Sequence, residues 1–254
     1  MSTQDRKAKA RAAAPKAGAG ANAIVIGGIV MVLAIVIVVA AVSINAVRTS
    51  GGASELPQGV EQGEPIEPYA DAKPAKDAPV VDVYEDFRCP ACKQFEASSG
   101  QTITELAEDG TIRLRVHLMT LIDNNTGGES SAVAGSSAIC AADQGKWTEF
   151  HEALFALQPP TETADGFPES AYPQAAEAAG LSGDALDEWQ QCTDDTTYVD
   201  YVQGVDDASV KAGIKGTPTV KVEGTTLDLG AATGTKLEKV LTSGEVPKDM
   251  VMQQ

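Results

Sequence analysis

Hydrophobic and polar positions divide the chain into stretches of different texture. Residues 1–20 are basic and rich in Ala and Gly, with no apolar period. Residues 17–47 contain no charge, and residues 24–42 are almost wholly apolar. A helix of that length crosses a hydrocarbon core of about 30 Å. It exceeds the ~7–15 apolar residues of a cleavable signal, and the segment after it offers no small-x-small cleavage site. The expectation is a transmembrane signal anchor over residues 21–47 behind a cytoplasmic tail over 1–20. Residues 48–78 are rich in Gly, Pro and Glu without an apolar period, and they read as a disordered linker.

Regular periods begin near residue 79. PVVDVYEDF is β-branched and aromatic, a strand. CPACKQFEASSGQTITELAEDG follows as a helix, with Phe95 and Leu106 on apolar positions and Gly110 as its stop. Residues 112–120 alternate Ile112, Leu114, Val116 and Leu118 against Arg113, Arg115 and His117, which predicts a strand with one buried face. Strand, helix, strand implies a right-handed crossover in a parallel or mixed sheet. Residues 129–212 are helical in texture, interrupted by a loop through QPPTETADGFPESAYP. GIKGTPTVKVEGTTLDLG returns to strand character with Gly224 and Thr225 as a hairpin turn, and TGTKLEKVLTSG closes as an amphipathic helix. The fold class is α/β: a sheet domain over 79–254 with a helical insertion at about 129–212.

Charge changes the picture. The net charge of −17 divides into +5 up to Arg48 and −22 beyond it. A body that acidic repels phosphates, which argues against nucleic acid as a partner, and it suits the solvated surface of an exported domain. Basic residues precede the apolar span, so the N-terminus is expected in the cytoplasm and the body outside. Disulfides persist outside the cytoplasm, so the four cysteines read as two pairs more readily than as metal ligands.

In EDFRCPAC the first cysteine opens a helix. Unpaired backbone N–H groups and the positive end of the dipole there favour thiolate over thiol. A cysteine so placed titrates at about 3.5–7.5 instead of about 8.5. Cys89 takes that place with Arg88 as a neighbouring cation, Pro90 fits the first helical turn, and Cys92 lies one turn further in. Cys89 is therefore expected to attack and be attacked, with Cys92 resolving. A second feature, Thr217-Pro218 in KGTPT, leads into the strand TVKV. If cis, that peptide would leave the Thr217 backbone facing the cysteines, free to pair with an extended chain.

EDFRCPAC before a helix, a helical insertion, and GTPT before a hairpin resemble the thioredoxin fold. More narrowly they are similar to the DsbA-like thiol–disulfide oxidoreductases, here in a membrane-anchored form, over residues 79–246. The resemblance implies that Cys89 and Cys92 cycle between dithiol and disulfide and that Thr217 and Pro218 form a substrate-contacting cis-proline loop. It implies reduced, unfolded exported proteins as clients and a membrane quinone-linked protein as reoxidant. The cysteines carry the electrons, so no cofactor is expected. Two departures matter. Ala91 stands where familiar oxidases carry a thiolate-stabilising His, which implies a milder oxidant. Val83 stands where the family often buries an acid; of Asp82 and Glu85, strand alternation puts Glu85 on the same face as a replacement, while its first reading is a solvated surface carboxylate.

Cys140 and Cys192 lie in the insertion without basic neighbours, and they read as a structural disulfide. Zinc is disfavoured because only one closely spaced cysteine couple exists, and His117 and His151 read as packing or surface residues. The function expected is an extracytoplasmic dithiol oxidase. The alternatives are a reductase or isomerase using the same site, and a non-catalytic peptide-binding or chaperone module.

Overall fold

The computed structural model describes residues 55–162 and 166–253. The expected tail and anchor lie outside the described residues. Among the described residues no helix is long and apolar enough to cross a membrane.

The sheet is built around β1 (Val80–Glu85), a β-branched run buried along nearly its whole length. It pairs in parallel with β2 (Arg113–Leu118) and antiparallel with β3 (Thr219–Val222), which turns into β4 (Thr225–Thr226). The strand order is β2-β1-β3-β4. The crossover from β1 to β2 is one helical path: α1 (Pro90–Phe95), a π turn over Glu96–Gly100, and α2 (Gln101–Glu108). Helix α2 buries Ile103 and Ala107. The 3.6-residue period announces a helix over this stretch, but it carries no mark of the π turn.

The insertion follows a short helix α3 (Leu121–Thr126) and consists of α4 (Ser130–Asp143), α5 (Trp147–Ala156), α6 (Ala171–Ala178), α7 (Asp184–Asp194) and α8 (Val199–Lys211). Helix α4 is its axis, with residues 134–141 all buried. Its Ala, Ser and Gly side chains let neighbours approach closely, so it shows no polar face. Two buried polar contacts fix its neighbours: the Trp189 indole N–H donates to the Ser137 carbonyl at 3.1 Å, and the Tyr198 N–H to the Ser136 hydroxyl at 3.1 Å. Cys140 and Cys192 form a disulfide between α4 and α7, as expected from the sequence. Helix α9 (Thr235–Ser243) follows the hairpin with Leu237, Val240 and Leu241 in the core.

Two expectations need correction. Residues 55–78 are not a disordered linker but a strap folded onto the domain. Ile66 is buried and exchanges backbone hydrogen bonds with Val116 at 3.1 and 2.9 Å, covering the outer edge of β2. The Tyr69 hydroxyl shares a hydrogen bond with the Thr148 hydroxyl, and the Tyr201 hydroxyl donates to the Glu64 carbonyl. An edge strand leaves a row of unpaired backbone groups. A strap with sparse apolar anchors satisfies part of that row without acquiring any period of its own. The hairpin turn is also displaced by one residue. Val222 pairs with Thr225, so the central residues are Glu223 and Gly224, with φ of 48° and 77°. A two-residue turn of this hand requires positive φ at both positions, which makes Gly224 its second residue and Thr225 the start of β4.

Two measurements check this architecture. Replacing Ile66 by Ala is expected to destabilise the domain by about 2–4 kcal/mol in urea unfolding, the range for a buried aliphatic truncation. Cys140 and Cys192 lie 52 residues apart; replacing both by Ser is expected to cost on the order of 4 kcal/mol, the entropy of the loop they close.

Candidate active site

The site forms where β1 stops. After Glu85 the chain turns, with the Cys89 N–H donating to the Asp86 carbonyl at 2.9 Å. Cys89 is the N-cap of α1 in an extended conformation, and Pro90 opens the helix. The Asp86 carboxyl accepts the Arg88 N–H at 2.8 Å and the Ile122 N–H at 2.9 Å, locking the turn against α3. Burial pushes Asp86 up to about 7, against the pull of those two donors.

Arg88, the cation expected beside the sulfur, is held by a carboxylate of α3. Its guanidinium is buried in an ion pair with Asp123 at 2.6 Å. Asp123 in turn accepts the N–H groups of Ser131 and Ala132 at the start of α4. The pair fastens the cysteine turn to the insertion, and the Asp123 carboxylate balances the arginine's charge.

The Thr217–Pro218 peptide is cis. It brings Thr217, 128 residues along the chain, against Cys89, whose thiol donates to the Thr217 carbonyl at 3.4 Å. The Thr217 hydroxyl is buried and makes no hydrogen bond. Once Cys89 ionises, the carbonyl can no longer accept from it, and the hydroxyl is the Thr217 group able to serve the thiolate. Cys89 is pulled down to about 6. A hydrogen bond from the Cys92 thiol contributes most; burial opposes it, and the Thr217 side chain and the N–H groups of Cys92 and Ala91 add to it. Cys92 moves far the other way, because it is buried and would ionise beside the Cys89 sulfur. Ala91 is exposed and Pro90 half-buried, so the two intervening side chains shape the turn without charging it. The outcome is an acidic outer thiol and an inner thiol held protonated.

Behind the turn lies a charged cluster that the sequence reading missed in large part. Glu85 faces the same side as Val83, as alternation predicts, and both line a water-sized cavity of about 30 Å³. Glu85 is buried and its carboxylate bonds His151 Nε2 at 2.6 Å, while Glu96 stands 3.7 Å from the other ring nitrogen. Phe87, Trp147 and Phe155 wall the imidazole at 5.3, 5.0 and 5.0 Å between centroids. Burial disfavours the charge on His151, but Glu85, with Glu96 and Glu152 adding to it, pushes the ring up to about 9. Burial also raises Glu96, with Glu85 adding to it and His151 opposing. The π turn sets this arrangement: a Cβ on Gly100 would overlap the Glu96 carboxylate. His151 does pack, as expected, yet it packs as one partner of a buried charge group. Its place in the apolar stripe of WTEFHEALF was the available sign.

His117 stacks on Tyr84 at 3.9 Å and bonds Asp82 at 2.8 Å on the opposite face of β1, which is the packing role expected of it. Among the described residues no group of three or more His, Cys, Asp or Glu is arranged to hold a metal ion.

Comparison with known proteins agrees with this geometry. A family model described as thioredoxin matches residues 75–241. Disulfide bond formation protein D of Bacillus subtilis is 27% identical over 148 residues, which are 58% of this chain and 64% of that protein. Reduced DsbA from Mycobacterium tuberculosis is 26% identical, covering 77% of this chain and 91% of that one, with a TM-score of 0.53. MdbA, a thiol–disulfide oxidoreductase from Actinomyces oris, is 25% identical over 78% of this chain and 99% of that one, with a TM-score of 0.59.

The His151 cluster predicts a pH effect of definite sign. A histidine raised from 6.5 to about 9 contributes stability that is full below about 6.5 and lost as pH rises through about 9. Cys89, lowered from 9.0 to about 6, acts oppositely in the same window, since its contribution is lost as pH falls. Comparing reduced parent with reduced Glu85→Gln cancels the thiol. The parent's advantage is expected to shrink by on the order of 3 kcal/mol between about pH 6 and 10, read from urea midpoints.

Proposed function

The chain belongs to the thioredoxin family, and from that membership we propose that it is an extracytoplasmic thiol–disulfide oxidoreductase that oxidises cysteine pairs in exported proteins. One observation carries this reading: an acidic Cys89 stands over a protonated Cys92, with the cis-proline loop against it. Stabilising the thiolate stabilises the reduced form of the pair, and a pair whose reduced form is favoured draws electrons from its clients. The names of the relatives, a disulfide bond formation protein and DsbA, support the same direction.

In the oxidised state a client thiolate attacks Cys89 Sγ. The Cys89–Cys92 bond breaks, Cys92 takes the electron pair and a proton, and a mixed disulfide joins the client to Cys89. A second client thiolate attacks the client's own sulfur and expels Cys89. Its low pKa makes it a good leaving group. Two electrons have then passed from client to pair. The Thr217 backbone beside Cys89 offers an extended client chain its pairing edge during both attacks. Reoxidation falls to a membrane quinone-linked protein, within reach if residues 21–47 anchor the domain at the outer face of the membrane.

Ala91 is the specific reason to keep the opposite direction in view. With no polar side chain at position 91, Cys89 at about 6 falls between the pKa of about 7 of the reductant thioredoxin and about 3.5 of the strong oxidant DsbA. A disulfide reductase or isomerase would use the same two sulfurs.

The reduction potential against glutathione, with refolding of a reduced client, separates these readings. The expected result is a potential well above thioredoxin's value of about −270 mV and recovery of client activity. Cys89→Ala is expected to abolish that recovery, and reduced Cys92→Ala to accumulate a mixed disulfide with an oxidised client, since no Cys92 thiol remains to expel the client sulfur. A potential near thioredoxin's with no oxidising activity identifies a reductase. Full biological activity of Cys89→Ala identifies a peptide-binding module.

A further inference from the structure

The peptide between Cys89 and Pro90 has no N–H, because proline supplies its nitrogen. Only its carbonyl can hold it in place. That carbonyl accepts the Lys93 N–H at 3.2 Å, the first bond of α1, and a second bond at 3.0 Å from Gln158 Nε2. The same nitrogen donates to the Phe87 carbonyl at 2.7 Å. Both hydrogens of one side-chain amide are thus used on the two carbonyls that flank Arg88.

Gln158 is itself fixed. It is buried, and its N–H donates to the Phe155 carbonyl at 3.2 Å, so it closes the end of α5. A second tie between the same elements runs from Lys93 Nζ to the Ala156 carbonyl at 3.0 Å. Helix α5 therefore grips α1 at its first turn, and Gln158 is the grip nearest the sulfur.

Orientation matters because a carbonyl and an N–H act on a thiolate with opposite sign. The N–H groups of Ala91 and Cys92 favour the Cys89 thiolate. A carbonyl of the same turn swung towards the sulfur would disfavour it. From this we infer that Gln158 is a positioning residue for Cys89, holding the Phe87 and Cys89 carbonyls so that the helix presents donors to the reacting sulfur. The inference rests on Cys89 being the attacking thiol, and it adds that the helical insertion sets how acidic that thiol is.

The test uses Gln158→Ala and Gln158→Met. Neither can donate a hydrogen bond, and Met keeps the length and bulk should the Ala protein fail to fold. Alkylation of the reduced protein by iodoacetamide as a function of pH reads the Cys89 pKa, and equilibration with glutathione reads its oxidising strength. In both variants the pKa is expected to rise by about half to one unit, the effect of losing one or two hydrogen bonds. The glutathione equilibrium is expected to shift about three- to tenfold towards the disulfide, since one pKa unit is a factor of ten. Variants that melt earlier than the parent, yet keep its Cys89 pKa and glutathione equilibrium, would reduce Gln158 to a structural residue and overturn the inference. A parent protein whose own Cys89 titrates near 9 would instead sink the reading of Cys89 as the activated thiol, and this inference with it.

Discussion

The start of α1 is the constraint on which the rest of the site depends. One sulfur must face the unpaired N–H groups of a helix while the other, a turn deeper, must not ionise. Both conditions come from one geometry. Cys89 as the N-cap receives the donors of Ala91 and Cys92, and Cys92 inside the first turn is buried and feels its neighbour's charge. Pro90 contributes by leaving no N–H to compete, which transfers control of that peptide to whatever holds its carbonyl.

The holding is done from α3 and the insertion behind it. Asp86 reaches α3, Arg88 reaches Asp123 and the start of α4, Gln158 comes from the end of α5, and His151 meets Glu85 from the middle of it. Buried ion pairs and hydrogen-bonded amides add little net stability once their desolvation is counted. What they supply here is registry. Each joins the end of β1, or the turn beyond it, to a helix outside the basic sheet layer. The insertion is therefore the second wall of the site and not an appendage to it. The disulfide between α4 and α7 ties one helix of that wall to the rest of the insertion.

A different economy governs the strap. Ile66 and Tyr69 are few and widely set, and they work because they land on groups already made: an edge strand short of hydrogen bonds and a hydroxyl on α5. Composition rich in Gly, Pro and Glu describes what a segment lacks, namely a core of its own. It is silent on whether the segment can borrow one. The same limit applies to Glu223, which accepts a positive φ because the strands on either side demand that turn.

By itself the sequence determined what nearest neighbours and periods can carry. β-branched runs made β1 and β3, alternation put Glu85 beside Val83, and Cys-Pro at a helix start ranked the two thiols. Thr217-Pro218 ahead of a strand pointed to the loop facing them. All of these are local, so residue order and backbone physics suffice. Tertiary structure decided the partners: Arg88 with Asp123, Glu85 with His151, Gln158 with the carbonyls of Phe87 and Cys89. These pairs are 35, 66, 71 and 69 residues apart. Whether a buried charge or amide stabilises or disrupts depends on what stands within hydrogen-bonding reach, and only the packed chain brings those groups together.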